Sequence, residues 1–136
     1  MSKIKIETII SADSKKVWEF WTEPEHITKW NFASDDWHCP KAENDLKVGG
    51  KIKSRMEAKD GSFGFDFEAV YTEIISEKRI SYTMSDGRVA ITDFENLGIR
   101  TKVSTAFDAE SENSVEMQKE GWQTILNNFK KYAESN

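Results

Sequence analysis

From residue 51 onward the chain repeats one pattern, in which extended segments of alternating apolar and polar residues are joined by short turns. The segments span residues 51–58, 63–75, 80–85, 88–95 and 100–107. Asp60-Gly61 and Asp86-Gly87 separate the first two pairs of segments. This dipeptide favours a type I′ hairpin turn, because both central residues of that turn must accept positive φ. The pattern therefore predicts a series of neighbouring antiparallel strands.

One face of this predicted sheet is apolar. In the longest segment Phe65, Phe67 and Tyr71 share a face, and in the next segment Tyr82 and Met84 do the same. An apolar sheet face has to be covered by another element, because it would otherwise remain exposed to water. These side chains are therefore expected to point inward, where they form core or line a pocket.

The C-terminal segment is the element long enough to cover this face. Trp122, Ile125, Phe129 and Tyr132 recur at spacings of three and four residues, which predicts an amphipathic helix. Gly121 lies inside that helix, where glycine costs about 1 kcal/mol relative to alanine. We expect a close approach of another backbone at Gly121 as the reason for it.

The N-terminal part predicts one strand and two short helices. Residues 3–10 alternate with a period of two, which is typical of a half-buried strand. Trp18 and Trp21 belong to an apolar stripe at helical spacing that stops before Pro24. A second short helix begins at this proline and ends near Trp30. Residues 31–48 show no such pattern and are predicted to be a long loop.

Four of the five tryptophans fall at positions 18–37, and they separate into two sets. Trp18 and Trp21 are predicted to anchor the first helix in the core, as apolar residues in a helical stripe usually do. Trp30, Phe32 and Trp37 lie on or beside the predicted loop, where nothing in the pattern requires burial. Because loops beside clefts often carry function, these three residues are candidates for lining a pocket.

The order of elements is strand, two short helices, five strands and long helix. It predicts an α+β fold in which a curved six-stranded antiparallel sheet wraps around the C-terminal helix. A length of 136 residues corresponds to one ordinary domain. We therefore expect residues 1–136 to form a single domain.

Charge and composition limit the partners. Nineteen Lys and Arg residues against 24 Asp and Glu residues give a formal net charge of -5, and no basic run is present. The electrostatic footprint of a nucleic-acid binder is therefore missing. The stretch MSKIKIETII has charges at every second position, which fits neither a secretory signal nor a spanning helix. We expect a cytoplasmic protein with no nucleic-acid partner and no membrane insertion.

Residues that could hold a metal gather only at Asp35, Asp36, His38 and Cys39. No second His or Cys pair with zinc-like spacing accompanies them, so we expect no metal and no cofactor. Cys39 is the single cysteine. It cannot form an internal disulfide and is predicted to be a loop thiol.

The sequence supports no catalytic residue. It has no Ser/His/Asp arrangement, phosphate-binding glycine loop or pair of carboxylates at a defined spacing. Tyr71 or Tyr82 could supply a hydroxyl, and Thr92 and Asp93 lie in a segment whose register is ambiguous. A catalytic function would require one of these groups to reach into a pocket with a shifted pKa.

The chain resembles a known superfamily. The runs VWEFWTEPEHITKW, DLKVGGKI, FGFDFEAVYTEI, EKRISYTM, ITDFENLGIRTKVSTAF and GWQTILNNFKKY occur in the order typical of the START-like helix-grip superfamily (SRPBCC). Within it, the chain is most similar to the activator of heat shock protein 90 ATPase homologue-like family. That family often has proline before the paired glycines, where this chain has Val48. The resemblance implies a cavity between the sheet and the C-terminal helix for a small apolar molecule.

We therefore expect the protein to bind a small hydrophobic or aromatic ligand in this cavity. The predicted ligand-binding residues are Trp30, Phe32, Trp37, Phe65, Phe67, Tyr82, Met84, Trp122, Ile125 and Phe129. The resemblance also implies two alternatives, because the superfamily includes a co-chaperone domain and polyketide cyclases. The first alternative is a stress-response module that contacts a chaperone, and the second is a cyclase-like or hydrolase-like enzyme.

Overall fold

The computed structural model describes residues 3–136. The elements are β1 (Lys3–Ile10), α1 (Ser14–Thr22), α2 (Pro24–Trp30), β2 (Trp37–Asn44), β3 (Lys51–Ala58), β4 (Gly64–Ile75), β5 (Arg79–Met84), β6 (Val89–Asn96), β7 (Thr101–Asp108) and α3 (Val115–Ser135). The strands form one antiparallel seven-stranded sheet in the order β1-β7-β6-β5-β4-β3-β2. The predicted α+β helix-grip fold is confirmed, with seven strands where six were predicted.

The additional strand, β2, lies where a loop was predicted. Trp37 pairs with Ala58 of β3, and the register shifts between His38 and Lys41. Pro40 falls within this shift and has no N–H to donate, which suits it to an edge strand or a bulge. The prediction of a loop over residues 31–48 is wrong at β2, because the bulge and the proline interrupt the alternation that identifies a strand.

The Asp-Gly dipeptides do form hairpin turns, but of another type. Gly61 and Gly87 have φ of 79° and 90°, whereas Glu77 is the only non-glycine residue among residues 3–136 with positive φ. The type I′ prediction is therefore wrong. At the second hairpin the Gly87 N–H donates to the Met84 carbonyl at 2.9 Å, and the Met84 N–H donates to the Arg88 carbonyl at 2.7 Å. This pattern fits a three-residue loop with glycine in the left-handed position.

Helix α3 packs against the concave face of the sheet. The Ser114 hydroxyl caps its first turn by accepting from the Met117 N–H at 3.1 Å. Leu126 and Phe129 are buried against the sheet at 2% and 0% exposure. A side-chain Cβ added at Gly121 would meet no atom within 4 Å. The close backbone approach predicted there is therefore absent.

Helices α1 and α2 fill one end of the curved sheet. The Asp13 carboxylate caps α1 by accepting from the Lys16 N–H at 2.9 Å, and Pro24 begins α2. Trp30, at the end of α2, is buried, and its indole N–H donates to the Phe20 carbonyl at 3.0 Å. Among the described residues, the helices all fall short of the length or apolarity needed to cross a bilayer.

Candidate functional site

A cavity of about 300 Å³ lies between the concave face of the sheet and α3. This volume is at the lower end of the range for small-molecule pockets. Its wall is mostly apolar, and it takes in Ile6 of β1, Ile52 and Met56 of β3, and Ile27 of α2. The helix opposite contributes Leu126. The fold therefore provides an internal space whose surface favours an apolar occupant.

Most of the predicted site residues meet at this cavity. Those that line it are Trp30, Phe65, Phe67, Tyr82, Met84, Trp122 and Ile125. Phe65 is 44% exposed and forms part of the rim, whereas Met84 is 5% exposed. These positions follow from strand alternation and from helical spacing, since both place the residues on the facing sides of the sheet and α3.

Three predicted residues lie elsewhere. Phe32 follows α2, and its carbonyl accepts a hydrogen bond from the Asn128 amide at 2.5 Å. Trp37 begins β2 and packs against Phe63 and Phe65, with ring centroids 5.9 and 6.1 Å apart. Phe129 is fully buried. It forms core behind the cavity wall and is not part of its surface.

Trp21 is the aromatic lining residue that the prediction assigned to the core. It stacks on Trp30 with centroids 5.0 Å apart and meets Phe129 edge-on at 4.9 Å. It packs against the core on one side and lines the cavity on the other. A helical stripe cannot separate these two surroundings, because both are apolar.

Three residues with hydroxyl groups on the cavity wall, Ser54, Thr92 and Thr105, were not predicted as ligand-binding residues. Thr92 and Thr105 face each other across β6 and β7, with their hydroxyl oxygens 2.8 Å apart. Ser54 of β3 is fully buried, and no group in residues 3–136 is positioned to hydrogen-bond its Oγ. Alternation from Ile52 places Ser54 on the inward face, so the sequence does carry a signal for it.

Cys39 lies on β2, and its thiol contacts the Ser54 side chain of β3. It is buried at 2% exposure, so the prediction of a loop thiol is wrong. Burial raises the pKa of the Cys39 thiol, and contacts with the Lys41 carbonyl and the Ser54 hydroxyl offset part of this effect. The thiol is directed to the Lys41 carbonyl at 3.5 Å, and its contact with Ser54 lacks the geometry of a hydrogen bond.

The two ionisable side chains of the described cavity wall are Tyr82 and Arg88. Burial raises the pKa of the Tyr82 hydroxyl well above its usual value, and the nearby charge of Arg88 offsets a small part of this increase. The Tyr82 side chain keeps some accessible surface, because part of it faces the cavity. The Arg88 guanidinium donates from Nε to Asp86 at 2.7 Å and from Nη1 to the Asp108 carbonyl at 3.4 Å.

This arrangement determines what the described cavity can do chemically. It can enclose an apolar body and donate hydrogen bonds, including those from the part of the Arg88 guanidinium that Asp86 leaves free. No carboxylate, histidine or cysteine is among the lining residues of the part described. Tyr82 stays protonated near neutral pH, so these lining side chains supply no general base there.

A cluster of possible metal ligands lies outside the cavity. Side-chain ligand atoms of Glu23, Glu25 and His26 lie within 4.8 Å of one another. The His26 ring stacks on Phe20 at 4.1 Å, and its Nδ1 lies 2.7 Å from the Tyr132 hydroxyl. These contacts account for the position of His26 through the packing of α2 against α1 and α3.

A second depression lies on the convex face of β2, β3 and β4. Its walls carry both signs of charge, and most of these charges pair with one another. Arg55 donates to Glu57 at 3.0 Å and lies 3.6 Å from Asp66. Such exposed pairs are typical of a solvated sheet face, so the internal cavity is the candidate site.

Comparisons with known proteins agree with this architecture. The family model described as Activator of Hsp90 ATPase homolog 1-like protein matches residues 11–134. The chain is 42% identical to an AHSA1-like protein from Aeromonas hydrophila, whose solution structure matches with a TM-score of 0.93 over 98% of this chain and 93% of that chain. It is 47% identical to a protein from Cytophaga hutchinsonii, with a TM-score of 0.84 and the same coverage of both chains.

A more distant structure shares the fold alone. The Aha1 dimer from Colwellia psychrerythraea is 19% identical to this chain, with a TM-score of 0.74 over 98% of this chain and 97% of that chain. A search of curated proteins gives no match. The match over residues 11–134 confirms the resemblance predicted from the sequence. The chain belongs to the family of Activator of Hsp90 ATPase homolog 1-like proteins.

Proposed function

We propose that this protein binds a small hydrophobic or aromatic molecule in the cavity between the sheet and α3. The observation that supports the proposal is the cavity of about 300 Å³. Ligand-sized pockets with an apolar wall and few polar groups are the usual sites for small molecules. The proposed contacts are Trp30, Phe65, Phe67, Tyr82, Met84, Trp122 and Ile125, all of which line the cavity.

The aromatic residues favour a flat ligand. Trp122 lines the cavity and is held by stacking on Phe107, with centroids 3.8 Å apart. Trp21 and Trp30 are held by the packing of α1 and α2. Rings fixed by neighbouring residues lose little conformational freedom when a ligand packs against them, so more of the contact energy contributes to affinity.

The first test is native mass spectrometry of the protein purified from its own host, in which a retained small molecule would appear as an added mass. The second test uses an environment-sensitive naphthalene dye and an Ile125→Trp variant, in which the larger side chain occupies the cavity. The matched control is Ile99→Trp, because Ile99 is 86% exposed at the turn before β7. We expect the Ile125 variant to lose dye binding at least tenfold and the control to keep it. Equal dye binding by both variants would rule out the cavity as the site.

The family description supports a second candidate, an interaction with an Hsp90-type chaperone. It is tested by measuring the chaperone's ATPase rate with and without this protein, together with a pull-down. An unchanged rate and no retained chaperone would refute this candidate. Ile125→Trp separates the two functions, because its change lies inside the cavity and leaves the outer surface as it is. The cyclase or hydrolase alternative has no comparable support from the described cavity wall.

A further inference from the structure

We propose that the cavity selects compact apolar carboxylates, with the Arg88 guanidinium and the Tyr82 hydroxyl as the site of the anionic group. The inference rests on the proposed function and narrows it to a chemical class of ligand. It starts from the distribution of charge on the cavity wall. Among the described lining residues Arg88 alone carries a charge at neutral pH, and the surfaces around it are mostly apolar.

The position of Arg88 leaves part of its guanidinium available. Nε is bound to Asp86 and Nη1 to the Asp108 carbonyl, while Nη2 has no partner within residues 3–136. The Asp86 side chain is 53% exposed and that of Arg88 is 19% exposed, so water screens the acid more than the base. A guanidinium presents a planar set of donors that matches a carboxylate. An anion entering an apolar cavity needs such a partner, because an unpaired charge there is costly.

Tyr82 supplies a neutral donor beside this cation. In the described chain its hydroxyl has no hydrogen-bond partner, although the residue lines the cavity. Its ring is fixed by edge contacts with Phe67 and Tyr71, with centroids 5.9 and 6.3 Å apart. The hydroxyl remains an O–H donor near neutral pH, because burial raises its pKa. A carboxylate can accept from both groups at once, whereas a neutral apolar ligand uses neither.

The cavity volume and the Ser54 hydroxyl restrict the class of ligand further. A cavity of about 300 Å³ equals about ten water molecules at liquid density, which favours one or two fused rings over a long-chain lipid. Ser54 of β3 pairs with Phe67, and Tyr82 of β5 pairs with Tyr71, so the two residues lie two strands apart and four positions apart along the sheet, or about 16 Å. Its Oγ is buried with no partner in residues 3–136, a condition that is costly unless a ligand relieves it. A ligand with a hydroxyl opposite its carboxylate would meet both polar positions.

The experiment compares three probes by calorimetry: 2-naphthoate, its neutral counterpart 2-naphthamide, and 6-hydroxy-2-naphthoate. With the wild-type protein we expect 2-naphthoate to bind about tenfold or more tightly than 2-naphthamide, because a hydrogen bond to a charged group is worth more than one to a neutral group. Arg88→Gln should remove this preference, and Tyr82→Phe should reduce it. The matched control is Arg79→Gln, whose guanidinium pairs with Asp93 on the convex face at 2.6 Å.

The neutral probe also reports folding. A variant that still binds 2-naphthamide has kept its cavity, so a changed ratio of affinities then reflects recognition of the charge. Equal binding of 2-naphthoate and 2-naphthamide by the wild-type protein would overturn the inference and leave the proposed function standing. Failure of all three probes to bind would overturn both.

The Ser54 contact is tested by the third probe. We expect 6-hydroxy-2-naphthoate to bind the wild-type protein several-fold more tightly than 2-naphthoate, and Ser54→Ala to abolish that gain. The preference for the carboxylate over the amide should persist in Ser54→Ala, because Arg88 and Tyr82 are unchanged. A hydroxyl that adds no affinity in the wild-type protein would overturn this part of the inference.

Discussion

Phe107 of β7 and Trp122 of α3 stack face to face, with ring centroids 3.8 Å apart and ring planes 10° apart. Phe107 is fully buried, whereas Trp122 is partly buried and lines the cavity. One aromatic pair therefore joins the sheet to the helix and also fixes part of the ligand-sized space. Fold stability and cavity shape depend on the same contact.

Phe107→Ala should lower the free energy of unfolding by about 3–5 kcal/mol, because it removes a fully buried ring and leaves a space behind Trp122. Urea denaturation followed by circular dichroism measures the change. Phe63→Ala is the matched control, since Phe63 is 63% exposed. It should cost about 1 kcal/mol or less. A similar cost for both variants would contradict the role of the stacked pair.

Gly121→Ala should raise the free energy of unfolding by about 1 kcal/mol. Alanine is favoured over glycine inside a helix, and the added Cβ meets no atom within 4 Å. Gly87→Ala should have the opposite effect, because Gly87 has a φ of 90° that L side chains rarely adopt. Chemical denaturation of the two variants measures both changes in the free energy of unfolding, which should have opposite signs. Destabilisation by Gly121→Ala would reveal a contact at that position.

Asp108 should contribute to the loss of stability in acid. Its carboxylate pairs with Lys3 at 2.7 Å and accepts from the Val89 N–H at 2.9 Å. The hydrogen bond from Lys3, followed by that from Val89, lowers the pKa of Asp108. A carboxyl group whose pKa is lower in the folded state stabilises the protein above its unfolded pKa of about 4. That contribution is lost as the pH falls through the lower folded value.

Asp108→Asn should therefore flatten the dependence of unfolding free energy on pH below about pH 4. Thermal unfolding between neutral pH and pH 2 measures the slope. The control is Asp35→Asn, since Asp35 is exposed and residues 3–136 provide it with no ion pair. An unfolding free energy that falls as steeply with decreasing pH in Asp108→Asn as in the wild-type protein would contradict this prediction.

Cys39 should react slowly with a disulfide reagent in the native protein. The thiol is buried, and burial raises its pKa, so both access and thiolate fraction are low. We expect a rate at least about tenfold below that of the urea-unfolded chain, set by local opening of β2. Absorbance of the released thiolate follows the reaction. A Ser104→Cys variant, on the convex face of β7, provides a more accessible thiol for comparison.

The regular parts of the fold could be predicted from the sequence. Strands β3 to β7 and helix α3 follow from alternation and helical spacing, because each has one face against the core. Strand β2 could not be found in this way, since Pro40 and the bulge disturb its alternation. The turn type was missed because the loop at Gly87 includes one more residue than the Asp-Gly dipeptide suggests.

For the candidate site, the sequence predicts which face of each strand and helix points toward the cavity. Phe67, Met84 and Ile125 were placed correctly on the cavity side by their periodicity. Phe129 is core although it was predicted to line the cavity, and Trp21 lines the cavity although it was predicted to be core. Helical spacing gives the direction of a side chain but not the depth at which it packs. Arg88 had no sequence signal, since a charged residue after a turn is ordinarily exposed.

Strand β2 is one of the two edges at which a further strand could join the sheet. It is the last strand of the sheet, and its pairing with β3 contains a register shift with Pro40 inside it. An approaching strand would find a missing donor and a bend where continuous pairing requires a straight row of amides. This edge is therefore a poor template for adding a further strand, which lowers the tendency of crowded molecules to join their sheets into fibres.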